Sequence, residues 1–345
     1  MKKIVVIGGG FAGAHAARKL EKYFNVSLVD TKDYFEFTPG ILRTIVEPRH
    51  TGNIQILHRH YLKRAKVIIG EISELNEQSV FIGKKKIPFD YLIICSGSSY
   101  NTPIKESNLV SATRAQHLRD CYDELRRAER ILIIGGGLVG VELAGEICWK
   151  YGQEKKITIV HAKDELIERN HFKAINYAEK YLRKKGVSIL FNEKIVDSQK
   201  GVYISDKGNE FRVDIAFLCT GITPNFKFIK GGFKKYLNEK NQIKVNSYLQ
   251  LIGKENIFSA GDINDRAVEK TAQNAIKQGH IVVKNILALE SGKKLREYHS
   301  ERTPMVISLG KYKGILTYKN FILRGFLPAV VKMLVEKLEM MKMRL

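Results

Sequence analysis

Two glycine clusters carry the strongest chemical signal in the chain. Gly8, Gly10 and Gly13 stand in the spacing G-x-G-x-x-G, and Gly135, Gly137 and Gly140 repeat it 127 residues later. Between a strand and a helix this spacing binds a diphosphate. The first glycine makes the tight turn, the second lets bare backbone approach the pyrophosphate, and the third lets helix pack on strand. The helix N-terminus then aims its partial positive charge at the anion. Two such turns on one chain imply electron traffic between two dinucleotide cofactors. In the first copy the following strand ends at Asp30, a carboxylate placed to accept hydrogen bonds from both ribose hydroxyls of an adenosine. The second copy has no acid there. Its strand runs into His161-Ala162-Lys163, with Asp164 and Glu165 further on. A carboxylate would repel a 2′-phosphate, whereas His161 with Lys163 tolerates or attracts one unless both are simply solvated, so NADH and NADPH both stay open.

The elements that must position these residues are legible in the hydrophobic pattern. Ile4-Val5-Val6-Ile7 is a short β-branched run of the kind buried in a parallel sheet, and an Ala-rich helical segment follows the glycines to about Tyr23. Val26-Ser27-Leu28-Val29 is the next strand. The same plan restarts with Ile131–Ile134, continues as a helix through Trp149, and returns in Ile157–Val160. Each start is followed by hairpin-like material and a strand entering a glycine turn. These are Tyr91–Ile94 into Cys95-Ser96-Gly97-Ser98, and Ile215–Leu218 into Cys219-Thr220-Gly221. The chain reads as a duplicated dinucleotide-binding domain, not a solenoid. Beyond about residue 236 come Asn256–Asp262, a helix from about Thr271 to Leu289, and strand-like stretches before a final helix.

Composition narrows the class further. The 345 residues are 44% apolar and 27% charged, which is globular and excludes collagen-like, low-complexity and disulfide-scaffold chains. The four cysteines, Cys95, Cys121, Cys148 and Cys219, form no C-x-x-C pair, so a reducing compartment fits best and no metal site is expected. With 58 Lys+Arg against 36 Asp+Glu the formal charge is +22. That excess reads as a solvated basic surface, attraction to anionic lipid, or attraction to nucleic acid. Nothing resembles a helix-turn-helix, a zinc finger or the RNP aromatics, so nucleic acid is the weakest of the three. No apolar run is long enough to span a bilayer, and Met1-Lys2-Lys3 leads into a strand rather than a secretion signal. After Pro328, Val331, Leu334, Val335, Leu338, Met341 and Leu345 recur at helical spacing, with Lys332, Glu336, Glu339 and Lys342 between them. From Lys311 onward eight Lys/Arg and two acids leave +6, and Phe321, Phe326 and Leu327 precede the helix. Such a basic amphipathic helix lies in a bilayer interface; the same pattern serves packing on the domain or against a second subunit in a homodimer.

Together the two glycine motifs, the Thr-Gly-like turns at Ser96-Gly97 and Thr220-Gly221, and Ala260-Gly261-Asp262 resemble the two-dinucleotide-binding-domain flavoproteins over roughly residues 1–290. The resemblance implies an α/β fold of two Rossmann-like three-layer domains, glutathione-reductase-like, plus a C-terminal strand-and-amphipathic-helix region. It implies FAD on Gly8, Gly10, Phe11, Ala12, Gly13, Asp30, Ser96, Gly97, Gly261 and Asp262. NADH or NADPH would take Gly135, Gly137, Val139, Gly140, Glu142, His161 and Gly221. The implied divisions are an FAD domain over 1–103 and 236–298, an NAD(P)H domain over 104–235, and a membrane-association or dimerisation region over 299–345.

The redox-active cysteine pair of the disulfide reductases is missing, as is the late cysteine typical of sulfide:quinone oxidoreductases. Gly140-Val141-Glu142-Leu143-Ala144-Gly145-Glu146 resembles the second motif of type II NADH dehydrogenases and of ferroptosis-suppressor and apoptosis-inducing-factor-like quinone reductases. That resemblance puts Glu142 near nicotinamide and flavin; by its sequence position alone it reads equally as a first-turn helix acid. Thr271–Gly279 resembles the A-Q-x-A-x-Q motif that lines the quinone pocket of type II dehydrogenases. Gln273 and Ala275 match, but Lys277 stands at the second Gln position and Gln278 one later. The implied activity is FAD-dependent NAD(P)H:quinone oxidoreduction, with hydride passing from nicotinamide to flavin N5 and two electrons then reaching a membrane quinone. Glu142, Gln273, Lys277 and Gln278 would be its catalytic residues. The implied location is cytoplasmic, peripheral on the inner face of the cell membrane. The alternatives are a soluble reductase for ferredoxin, rubredoxin or oxygen, an atypical sulfide:quinone oxidoreductase, and a partner- or nucleic-acid-binding flavoprotein.

Overall fold

The computed structural model describes residues 1–99, 108–111 and 114–345, so the expected domain boundary at 103/104 lies outside the described residues. Both expected β-α-β starts are present. The first is β1 (Lys3–Ile7), α1 (Phe11–Leu20) and β2 (Asn25–Asp30), joined by β3 (Lys66–Ile69) and β4 (Tyr91–Ile94). The second comprises β5 (Leu109–Ser111), β6 (Arg130–Ile134), α2 (Leu138–Tyr151), β7 (Lys156–Val160), α3 (Phe172–Lys184), β8 (Ser188–Leu190) and β9 (Ile215–Leu218). The chain then returns to the first domain with β10 (Ile257–Ser259) and α4 (Ala272–Glu290). It closes with β11 (Met305–Ser308), β12 (Gly314–Tyr318), β13 (Phe321–Gly325) and α5 (Phe326–Arg344).

The two parallel sheets have matching orders, β10-β4-β1-β2-β3 and β5-β9-β6-β7-β8. Their central strands are covered on both faces, which is why they read as unbroken β-branched runs instead of alternating ones. Ile4, Val5 and Val6 are fully buried, as are Leu132 and Ile133. Each such side chain stabilises the fold by about 2 kcal/mol through transfer from water. The hairpin-like stretches form antiparallel three-stranded sheets, Glu74–Leu75 with Ser79–Ile82 and Lys85–Pro88, and Ile195–Gln199 with Val202–Ser205 and Glu210–Arg212.

Close helix packing explains the small residues of α1 and α4. A Cβ on Gly279 would lie 2.7 Å from the Ala12 carbonyl oxygen, so the two helices cross with backbone nearly in contact. Thr271 caps α4, accepting from Asn274 N–H at 3.3 Å. The C-terminal sheet β11-β12-β13 is antiparallel and carries α5. Along α5 only Pro328, Met340 and Met343 are buried, with Lys332 and Glu336 on the same inward side. Phe326, Leu327, Met333, Leu334, Leu338 and Met341 face solvent, each about half exposed.

Candidate active site

Sterics assign the roles of the glycines. Gly8 turns at φ +95° and Gly135 at φ +111°, in the left-handed region where a side chain is strained. Each donates its N–H to the end of the neighbouring strand, Val29 and Val160, at 2.8 Å. A Cβ on Gly13 or on Gly140 would stand 1.9 Å from the carbonyl oxygen of Gly8 or Gly135, so both third positions must be bare. Gly10 and Gly137, by contrast, face nothing within 4 Å. They serve as N-caps of α1, which opens with Phe11 and Ala12, and of α2, which opens with Leu138 and Val139; no side chain caps either helix. Each turn is therefore closed where backbone packs and open where a diphosphate would meet helix N–H groups, which fits dinucleotides.

Behind the first turn stands Asp30. Its Oδ2 accepts from Gly9 N–H at 2.8 Å and lies 3.2 Å from His58 Nε2. With Nε2 donating, His58 Nδ1 accepts from the Tyr61 hydroxyl at 2.6 Å. Burial works against the charge on Asp30, but the bond from His58, the Lys32 ammonium and the Gly9 amide outweigh it and hold the carboxyl below its ordinary pKa. The second turn is backed by His161, 3.5 Å from Glu168, and burial pushes its imidazole pKa down against the opposing pull of that carboxylate.

A cleft of about 2480 Å³ runs between the two turns, lined among others by Phe11, Ser98, Gly135, Gly137, Glu142, His161, Gly221, Asp262, Lys270 and Gln273. The chain crosses between domains beside it. Ser96 Oγ donates to the Asn225 carbonyl at 2.9 Å and Asn225 Nδ2 donates to the Ser96 carbonyl at 2.8 Å. Gly97 and Gly221 both turn with positive φ. Ser98 Oγ donates to Asp262 Oδ2 at 2.7 Å, and Lys270, its pKa lowered by burial against the pull of Asp262 and Asp265, reaches the Asn264 carbonyl at 2.7 Å.

The expected catalytic residues separate. Glu142 lines the cleft, and its Oε1 accepts from Ser308 N–H at 2.7 Å and Lys332 Nζ at 2.6 Å. It lies beyond the first turn of α2 and binds the C-terminal region, not its own helix terminus. Gln273 also lines the cleft, donating to the Pro304 carbonyl at 3.2 Å. Lys277 instead points to the surface, 3.6 Å from Glu301. Gln278 is buried beneath the flavin-type turn, where its Oε1 accepts from Gly261 N–H at 2.7 Å and Asn264 Nδ2 at 2.8 Å. The reason is helical geometry: with Gln273 toward the cleft, Gln278 five positions on turns toward the core.

Several partners escaped the sequence reading. Arg43 binds Glu146 through two hydrogen bonds, at 3.2 and 2.9 Å, and Ser308 Oγ donates to the same carboxylate at 3.0 Å. His50 pairs with Glu336 of α5 at 3.2 Å. His58, Tyr61, Arg43 and Glu168 have no motif around them, and only the fold brings these four, Glu146 and Lys332 to their partners. All four cysteines are free, and burial pushes the thiols of Cys95 and Cys219 up to about 12 and those of Cys121 and Cys148 to about 11. None is a thiolate at neutral pH, so dithiol exchange is not served.

The pyridine nucleotide-disulphide oxidoreductase pattern matches residues 2–279. The chain belongs to that family. It is an oxidoreductase whose cofactors are FAD and NADH or NADPH. Apoptosis-inducing factor homolog A of Dictyostelium discoideum is 33% identical over 94% of this chain and 88% of its own length. Human ferroptosis suppressor protein 1 is 30% identical, over 92% and 89%. The fold also superposes on NDH2 from Plasmodium falciparum in complex with NADH, with a TM-score of 0.87 at 14% identity, covering 99% of this chain and 97% of that one.

Proposed function

We propose that the protein is a peripheral membrane NAD(P)H:quinone oxidoreductase, with FAD on the Gly8 turn and the nicotinamide nucleotide on the Gly135 turn. One observation carries the quinone half of this reading. Helix α5 turns Leu334, Leu338 and Met341 outward while its inward Lys332 ends on Glu142 at the cleft wall. An apolar surface suited to a membrane thus lies one helix thickness from the cleft wall at Glu142, and Lys337, Lys342 and Arg344 add attraction for anionic lipid. Among the described residues no helix is long and apolar enough to cross a membrane, so attachment would be interfacial.

Bound FAD supplies the redox chemistry, taking two electrons and releasing them to the acceptor. The chain's work is positioning. Asp30, preset by Gly9, His58 and Lys32, orients a ribose; the uncapped ends of α1 and α2 hold diphosphates. Gln278 fixes the Gly261 turn from behind, leaving Asp262 and Lys270 facing the cleft. Lys332 Nζ donates to Glu142 Oε1 at 2.6 Å, which sets this polar pair at the cleft wall, where a reduced acceptor would take up a proton. Anaerobic reduction of the flavoprotein by nicotinamide nucleotide, followed by reoxidation with a quinone on anionic vesicles, tests the reading. Fast reduction with no reoxidation by any quinone would overturn it.

A further inference from the structure

The two ribose ends use the same pair of groups with their positions exchanged. At the first, the acid ends the strand and an imidazole arrives from elsewhere; at the second, His161 follows the strand and the carboxylate of Glu168 arrives from the loop beyond. Register establishes the equivalence. Ile7 pairs with Val29 and Ile134 with Val160, and those strand residues accept the N–H groups of Gly8 and Gly135. Asp30 and His161 are each the next residue. A Cβ on Gly9 would meet Asp30 and His58, and one on Gly136 would meet the His161 ring at 3.0 Å.

Glu168 is held at this place by unusual backbone. Its neighbours Ile167 and Arg169 are non-glycine residues at φ 42° and 74°. Such residues persist in the left-handed region only where surrounding contacts fix them. Ile167 N–H donates to Gly136 O at 2.8 Å, which ties the loop to the glycine turn itself. Glu168 Oε2 and His161 Nε2 face each other at 3.5 Å, too far for a well-formed hydrogen bond, neither atom has any other partner, and both residues line the cleft. Buried polar atoms of this kind ask for a ligand that supplies their bonds.

We propose that Glu168 is the specificity-determining residue of the nicotinamide-nucleotide site, accepting hydrogen bonds from the adenosine ribose hydroxyls and excluding a 2′-phosphate, so that the enzyme uses NADH in preference to NADPH. This rests on the reading of the second turn as the nicotinamide-nucleotide site. The nearby cations do not reverse it. Lys163 and Lys194 are exposed, and Arg169 is 76% exposed and turned toward Glu269, so solvent and salt screen all three. A second carboxylate at the rim, Glu193, is already occupied by Asn209 Nδ2 at 2.7 Å.

The test uses the purified flavoprotein without quinone, following anaerobic flavin reduction by NADH, NADPH and 2′-deoxy-NADH. The wild type should favour NADH over NADPH by about tenfold or more in second-order rate, and should lose a similar factor with 2′-deoxy-NADH. Glu168→Gln removes the charge but keeps an accepting oxygen and should collapse the NADH-to-NADPH ratio toward one, whereas Glu168→Ala should collapse both ratios. Equal or better use of NADPH by the wild type, or an NADH-to-NADPH ratio unmoved by Glu168→Gln, overturns the inference. Should the variants lose their flavin, the wild type alone decides through the 2′-deoxy substrate: a loss supports the proposal and no loss overturns it. Failure of both nucleotides to reduce the flavin would sink the proposed function itself, an outcome distinct from equal reduction by both.

Discussion

The first glycine turn is backed by a carboxylate bound to its own amide, Gly9 to Asp30, whereas the second is backed by the His161 ring. Ahead of those residues the two halves are nearly interchangeable, with the same strand order, the same φ reversal, and the same 1.9 Å exclusion at the third glycine. The contrast shows which parts of a duplicated site can drift. Gripping a diphosphate depends on backbone closing against backbone, so it tolerates no change. Reading a ribose depends on side-chain ends, which a neighbouring loop can supply as well as the strand.

The largest expected effect comes from the shared part. Gly13→Ala forces a Cβ into the Gly8 carbonyl and should yield protein without flavin, seen in its absorbance spectrum. Gly140→Ala commits the same offence in the other half. It should keep its flavin yet slow reduction by NADH by about a hundredfold or more in stopped flow, a loss on the order of 3 kcal/mol of nucleotide binding. Equal flavin loss in both variants would break the distinction between the halves.

Next comes the bond that joins them. Arg43 from the first half and Glu146 from the second are mostly buried, with side chains 19% and 4% exposed. Arg43→Met leaves that carboxylate without its cation and should cost about 3–5 kcal/mol in denaturant unfolding, while adding Glu146→Gln should restore part of it. A double variant no better than the single would show that the pair is not coupled.

A smaller effect lies in pH. The Asp30 pKa is lowered, so its contribution is complete above the ordinary carboxylate value and is lost only as pH falls through its depressed one. His161, His280 and His15 are lowered too, His15 to about 4, with burial the leading cause in each. Their neutral forms support the fold above about pH 6.5, and that support drains as pH falls below it because the unfolded chain takes up protons first. Unfolding midpoints should therefore drop between pH 7 and 5, and His15→Phe should flatten the drop. The Asp30 anchor should stay intact over that range, measured as unchanged flavin retention. Flavin release in step with the imidazoles would contradict the asymmetry.

The smallest effect on folding is expected where neither half makes contact. Leu334→Glu with Leu338→Glu on the outer face of α5 should change unfolding free energy by no more than about 0.5 kcal/mol per site. Sedimentation with anionic vesicles should nevertheless be lost. Retained sedimentation would remove the membrane reading of that face.

What the sequence discloses follows the range of the forces involved. The glycine turns, Asp30 and the buried strands were legible because each is fixed by neighbours within one β-α-β unit. Thr271 was legible as a helix start for the same reason. The partners of Asp30, His161, Glu142 and Glu146 were not, since His58, Glu168, Lys332 and Arg43 meet them only after the sheets and the C-terminal helix assemble. Gln278 shows a subtler limit. The motif around it was visible, but the side of α4 on which it falls depends on the packing of Gly279 against Ala12. In α5 the apolar spacing was legible, but it fits a bilayer interface and packing on protein equally; ion pairs to Glu142 and His50, supplied only by the assembled fold, turn the polar side inward and leave the leucines outside.

That outward apolar face has a practical consequence for anyone handling the protein. A helix wearing its leucines and methionines outward has nothing to cover them in plain buffer, so concentrated stocks should cluster reversibly. Mild detergent or lipid nanodiscs should disperse them, and light scattering against protein concentration would register both.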